Sequence, residues 1–229
     1  AGRYFHGPLI AGTDGMIVAA VVTADPERGR AASEEHPHAA VVPEVEALWE
    51  LEPFDLMVVA APNEAHARLA GAAIEREVAV VVDKPLAVTA AEAEALVGKA
   101  ARAGVLLTVF QNRRWDSDHL TLVRLRAEGQ LGTVIRYESR LERWRPEVSP
   151  GAWRESLAPE RGGGQLLDLG SHLIDQALVL FGPVSHIYAE LDARRAGESD
   201  DDAFLALRHA GGVISHLHAS ALTAAPGPR

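Results

Sequence analysis

No cysteine occurs anywhere in the chain, which excludes disulfide bridges, thiolate nucleophiles and cysteine-held metals. Positive charge is also scarce. Lys and Arg total 22 against 32 Asp and Glu, a net charge of −10. There is no basic run and little aromatic–basic interleaving, so neither nucleic acid nor an acidic membrane surface is an expected partner. No apolar run reaches the roughly 18 residues that a membrane span needs. No HExxH pattern is present to suggest zinc. Repeats and low-complexity segments are absent too.

What remains is a chain of 229 residues, 48% hydrophobic, enough for one large or two modest domains with packed cores. It opens at Ala1–Ile10 as a helix already under way, with no strand before it. Met16 to Thr23 is a continuous apolar run, read as a buried strand. Asp25-Pro26 is an N-cap followed by a first-turn proline, starting a helix to about Glu34. Strands follow at 39–42, 55–60, 78–82 and 105–110, with helices at 43–51, from Asn63 to about Arg76, and from Thr89 to about Ala103. Asn63 is expected to cap its helix, and Thr89 with Glu92 to form a capping box. Strand and helix alternate, which predicts right-handed crossovers and a parallel sheet covered on both faces.

From Trp115 the pattern changes. Ser117 to Glu128 is an amphipathic helix closed by Gly129. Strands are expected at 134–144, 184–194, 203–209 and 213–220, with a polar loop at 145–161. The fold class is therefore α/β, a Rossmann-type parallel sheet over residues 1–114, followed by an α+β domain with an open, mainly antiparallel sheet over residues 115–229. His186, His209, His216 and His218 lie on the sheet strands and are read as surface or core residues.

Parallel sheets bind ligands past the carboxyl ends of their strands. Those ends carry Thr23, Pro62-Asn63, Asp83-Lys84-Pro85 and Gln111-Asn112. Burial would favour neutral Lys84 and the neighbouring acid would oppose that. A lysine that only snorkels to solvent is the plain alternative. A cis peptide before Pro85 would fix the lysine's direction, though trans is the expectation on general grounds. The segment Ala61-Pro62-Asn63-Glu64-Ala65-His66 leads into a helix whose N-terminus would suit a phosphate or ribose.

The stretch from Gly162 to Asp175 is a glycine-rich approach to a helix ending at Gly182-Pro183. Leu166, Leu169, Leu173, Ala177 and Leu180 form its apolar face. Asp168, His172 and Asp175 fall on a second stripe. Three readings compete for that stripe: a structural Asp–His pair, a metal site, and acid–base work on a small substrate. Trp144-Arg145 and Trp153-Arg154 either line a sugar-like substrate or simply pack.

Several of these segments agree in order and spacing with one family. Ala-Pro-Asn-Glu-Ala-His at 61–66, Asp-Lys-Pro at 83–85, Gln-Asn-Arg-Arg-Trp-Asp at 111–116 and Gly-Gly-Gly-x-Leu-x-Asp-x-Gly-x-His-x-x-Asp resemble the Gfo/Idh/MocA NAD(P)-dependent oxidoreductases. The likeness covers the whole chain. Phe5–Ile10, 112–116, Arg145-Pro146-Glu147-Val148 and 168–172 bring it nearest to the NADP-dependent scyllo-inositol dehydrogenases. The family's usual Glu-Lys-Pro is Asp83-Lys84-Pro85 here.

The resemblance implies a hydride moving between a nicotinamide and a CH–OH group of a polyol or sugar, inositol-like by preference. It implies Lys84, Asp168 and His172 as catalytic residues, with His172 the general base and Lys84 on the substrate oxygen. Asp168 would orient the histidine or a second hydroxyl. Cofactor contacts would come from Gly2, Thr23, Arg28, Pro62, Asn63, His66, Asp83, Lys84, Pro85 and Gln111. Substrate contacts would come from Asn112, Arg113, Trp153, Arg154, Asp168 and His172, with no metal. Thr23 leaves room for the 2′-phosphate of NADP where NAD enzymes carry an acid. Asp25 has the wrong sign for that phosphate, and Arg28 or Arg30 would replace the expected arginine. NADP is thus favoured over NAD. Gly2 matches the third glycine of the family's Gly-x-Gly-x-x-Gly turn. The first strand before it, and further residues after Arg229, are expected from the family but not seen, so these residues alone would fold and bind cofactor poorly. A cytoplasmic homo-oligomer, dimer or tetramer, paired through the open sheet is expected. The alternatives are a catalytically silent cofactor-binding sensor or co-repressor, and a glycosidase that uses the nicotinamide to assist cleavage.

Overall fold

The structure is a computed structural model that describes residues 1–51, 53–149 and 151–225. Pro150, inside the loop predicted at 145–161, and 226–229, the end of the predicted second domain, lie outside the described residues.

The chain begins with a wide π turn, Gly2–His6, that runs into helix α1 (Gly7–Ala11). Strands β1 (Ala20–Val22) and β2 (Ala40–Val42) pair in parallel around helix α2 (Pro26–Glu35). Asp25 caps α2, accepting from the backbone N–H groups of Glu27 and Arg28 at 2.9 and 3.1 Å. Helix α3 (Val45–Leu48) is a single turn. Strands β3 (Leu56–Val59), β4 (Ala79–Asp83) and β5 (Leu107–Phe110) form a second parallel group, connected through α4 (Asn63–Ile74) and α5 (Ala90–Ala103). The Thr89–Glu92 capping box is present, and Gly104 closes α5 in the left-handed conformation (φ +66°). Val59, Val80, Val82, Ala70, Ala73, Ile74 and Leu96 make the core of this half.

The strand predicted over 16–23 is cut back to three residues. Its partner β2 offers only three residues to pair with, and Ile17 is left 82% exposed. Among the described residues no ladder joins β1 to β3, so the parallel strands fall into two groups rather than one sheet.

A short 3₁₀ turn (Asn112–Trp115) leads into α6 (Ser117–Ala127). The second half holds β6 (Arg136–Glu142), the single turn α7 (Trp153–Ser156), α8 (Ser171–Phe181), β7 (Val184–Asp192), β8 (Asp202–His209) and β9 (Ile214–Ser220). The strands order as β6-β9-β8-β7. The sheet is antiparallel except that β6 runs parallel to β9. One face is covered by α8, whose Leu173 and Ala177 pack with Leu169 on Ala203, Leu205, Leu207, Leu217 and Ala219. The other face carries Phe204, His216 and His218 with Glu138 and Arg140 around a shallow hollow. His209 is a core residue, with its ring nitrogens on the Gly182 carbonyl and Ser215 Oγ. His218 lies between Asp202 at 2.7 Å and Glu142 at 2.9 Å. Among the described residues no helix is long and apolar enough to cross a membrane, and no group of side chains could hold a metal ion.

Candidate functional site

Three glycines set up the site. Gly162 (φ +89°) and Gly164 (φ +101°) adopt backbone conformations that L side chains rarely take, and Gly163 passes against the Leu157 carbonyl. The turn is fastened from outside. Asp200 Oδ2 accepts from the Leu166 N–H at 2.7 Å, and the Asp200 carbonyl accepts from the Gln165 N–H at 3.0 Å. Burial raises the Asp200 pKa, and these backbone bonds oppose the rise.

The following turn, Leu166–Gly170, is a π turn, wider than an α-helical one, and α8 continues from it. The predicted stripe therefore splits. Asp168 meets Lys84, while Asp175 pairs with Arg114, which donates to both its oxygens at 2.8 and 2.6 Å. His172 lies between them on α8 and is buried.

Lys84 follows β4 directly. Its Nζ donates to Asp168 Oδ1 at 2.9 Å and to the Asp168 carbonyl. The two side chains are 15% and 19% exposed. Arg154 reaches the same oxygen, Oδ1, at 3.3 Å while its guanidinium stacks over the Trp153 ring. Burial pushes the Lys84 pKa down and Asp168 opposes it. Burial alone would raise Asp168, yet its pKa is lowered, because Lys84, Arg154 and Arg143 together outweigh desolvation. The asymmetry is physical: the carboxylate meets three cations, the lysine one close anion.

The Lys84–Pro85 peptide is cis, not trans as the base rate predicts. His66 is fully enclosed behind this loop, its ring nitrogens on the Pro85 carbonyl (2.7 Å) and the Ala61 carbonyl (3.0 Å). It ties the loops after β3 and β4 together rather than presenting itself to a ligand. Asn63 does not cap α4, whose N-cap is Pro62. Its amide instead donates to the Gly162 carbonyl at 2.8 Å, across the two halves. Asp83 pairs with buried His6 at 2.7 Å. Sequence reasoning assigned no role to His6, which only its place in the opening segment marks.

The remaining positions are more scattered. Gly2 starts the first π turn, and a Cβ there would meet only Ala60. Thr23 Oγ1 accepts from the Asp25 N–H at 3.2 Å. Exposed Arg28 sits 3.4 Å from Asp25. Arg113 pairs with Asp116 at 3.0 Å, and its carbonyl accepts from Gln176. Asn112 belongs to the same 3₁₀ turn. Gln111 Oε1, at the carboxyl end of β5, is buried with no hydrogen-bond partner among the described residues. An acceptor of that kind suits the carboxamide or ribose hydroxyl of a nicotinamide cofactor. Sequence reasoning also passed over Arg143 and Asp200. No motif marks them, because each reaches the site from a distant segment.

Two hollows among the described residues, on the open sheet face and between α6 and β6, include none of Lys84, Asp168 or His172. At Lys84 and Asp168 the two halves touch directly.

Comparison with known proteins places both halves. Residues 1–111 match the oxidoreductase family with an NAD-binding Rossmann fold, and residues 119–229 match the GFO/IDH/MocA C-terminal domain. An uncharacterized oxidoreductase of Escherichia coli, YdgJ, is 42% identical over all of this chain and 64% of its own length. The scyllo-inositol 2-dehydrogenase (NADP(+)) IolW of Bacillus subtilis is 36% identical over all of this chain and 62% of its own length. The chain thus spans less than two thirds of either relative. The solved structure of an NAD-binding protein from Listeria innocua superposes with a TM-score of 0.89 at 29% identity, covering 98% of this chain and 65% of the other.

Proposed function

The chain belongs to the Gfo/Idh/MocA oxidoreductase family, and from that premise we propose that it carries the hydride-transfer site of a dehydrogenase acting on a CH–OH group of a polyol or sugar. The single observation that carries this reading is the bond from Lys84 to Asp168 across the two halves, with His172 one turn further along the same helical segment. When bound, the nicotinamide supplies the hydride acceptor or donor. The chain's own residues handle the proton. Lys84, fixed by Asp168, donates a hydrogen bond to the substrate oxygen. His172 takes the hydroxyl proton as the hydride departs, and returns it in the reverse direction. Asp168 acts mainly on Lys84, because its carboxylate already faces that ammonium and Arg154.

Gln111, Asn63 and the loop after β4 would hold the nicotinamide end, and Gly2, Thr23 and Arg28 the phosphate end. NADP is the preferred form: Thr23 puts no acid where NAD enzymes bind ribose hydroxyls, and the Asp25 carboxylate is occupied capping α2. The name of the Bacillus subtilis relative supports an inositol-like substrate. The half-open face of the β6-β9-β8-β7 sheet supports pairing with a second copy. An enzyme that draws on a free nicotinamide works where that cofactor is held, which makes the cytoplasm its proposed setting.

The test is a panel of inositols and aldoses with NADP⁺ or NAD⁺, following reduced cofactor. Turnover of at least one polyol, falling about 10²–10⁴-fold in kcat for His172→Ala, supports the reading. Tight cofactor binding with no turnover of any panel member points instead to a sensor.

A further inference from the structure

Asp168 meets more positive charge than one carboxylate neutralises. Lys84 and Arg154 both lie on its Oδ1, at 2.9 and 3.3 Å. Arg143, just past the end of β6, is half-buried and near enough for the same carboxylate to act on its charge. Burial lowers its pKa, Asp168 opposes this, Arg145 and Arg113 lower it further by repulsion, and Glu155 works weakly the other way. The nearby acids are engaged elsewhere. Glu155 is held by Arg195 at 3.0 Å and by Arg145 at 3.8 Å, Asp116 by Arg113 at 3.0 Å, and Asp83 by His6 at 2.7 Å.

This is a concentration of cations in a chain of net charge −10. A half-desolvated guanidinium that shares its nearest carboxylate with a lysine and a second arginine gains from a further anion. The proposed phosphate contacts of the cofactor, Gly2, Thr23 and Arg28, sit on the other half and make no use of these arginines. Arg154 is fixed as well as charged, since its guanidinium stacks on Trp153 and its carbonyl accepts from the Gly164 N–H at 2.9 Å.

From this charge geometry we propose that the substrate is an anionic polyol, a sugar or cyclitol bearing a carboxylate or phosphate, and that Arg143 and Arg154 hold the anion while Lys84 and His172 address the carbinol. The planar fork of arginine matches either group in a bidentate fashion. The proposal rests on the dehydrogenase reading for the reaction but not for the binding.

Calorimetric titration of the full chain tests it, with D-glucose, D-glucuronate and D-glucose 6-phosphate, and with myo-inositol and myo-inositol 1-phosphate. At least one anion is expected to bind about tenfold or more tightly than its neutral partner. Arg143→Gln is expected to reduce that ratio about tenfold, and added salt to weaken the anion selectively. A carboxylate that outbinds the phosphate identifies an acid sugar, and the reverse identifies a phosphate ester. Equal affinity for neutral and anionic partners in the wild type overturns the proposal, whatever the variant does. So does an anion preference unchanged in both Arg143→Gln and Arg154→Gln. Cofactor-linked turnover of neutral polyols without anion preference removes this proposal and leaves the dehydrogenase standing. Anion preference lost in Arg143→Gln, with no turnover of any compound, keeps the anion site and removes the dehydrogenase.

Discussion

Lys84 and Asp168 are joined by a 2.9 Å hydrogen bond although 84 positions separate them in the chain. The contact links the end of a parallel strand to the π turn of the other half, and Arg154 shares its acceptor oxygen. Beside it, Asn63 reaches the Gly162 carbonyl and Arg114 clamps Asp175. The segments that follow β3, β4 and β5 are therefore each tied by a polar bond to the glycine turn or to the helical segment after it.

Asp168→Asn keeps the shape of this contact and removes the charge. Asp168 opposes the downward push of burial on the Lys84 pKa, so in the variant that pKa falls further. A lysine that must be protonated to hold the substrate oxygen is lost as pH rises through its pKa. The alkaline limb of kcat/KM is thus expected at lower pH in Asp168→Asn than in the wild type. The acid side follows from Asp168 itself, whose folded pKa is lowered from 3.8. Its contribution to stability is present above the unfolded value and disappears as pH falls through the folded one. Thermal melts below about pH 4 are expected to decline less steeply in the variant.

Cofactor choice is expected to turn on the end of β1. Thr23→Asp introduces the acid that ribose hydroxyls prefer and repels a 2′-phosphate. The ratio of NADP to NAD affinity is expected to fall about tenfold or more, and Arg28→Ala to lower it in the same direction. Fluorescence titration with the reduced cofactors reads both.

Gly163→Ala places a methyl group against the Leu157 carbonyl, a backbone atom that cannot swing aside. Overpacking of this kind costs roughly 1–3 kcal/mol, and the variant is expected to unfold at lower denaturant. Gly211→Ala, where an added Cβ meets nothing within 4 Å, is the control and is expected to change stability little.

Local signals carried well into the fold. The Asp25 cap, the Thr89–Glu92 box and the alternation of valine-rich strands with helices each depend on a few neighbouring residues, and each is present. Signals that depend on distant partners did not carry. Asn63 looks like an N-cap in sequence, but an acceptor 99 residues away takes its amide. The apolar run at 16–23 looks like a full strand, yet how much of it pairs is set by β2. The even spacing of Asp168, His172 and Asp175 assumes α-helical pitch, which the π turn at Leu166–Gly170 interrupts. The parallel pairing of β6 with β9 depends on the whole connection through α8, β7 and β8. For the site, Lys84 and Asp168 stand out because charged residues beside apolar runs are conspicuous. Arg143 and Asp200 do not, since on their own segments they read as ordinary surface residues.

The most direct measurement is a crystal structure of the protein with oxidised cofactor and a polyol that it turns over. Lys84 Nζ and a ring nitrogen of His172 are predicted to lie within roughly 2.6–3.2 Å of one and the same substrate oxygen, on the carbon facing the nicotinamide. A complex in which that oxygen is held by one of the two while the other points elsewhere would contradict the account.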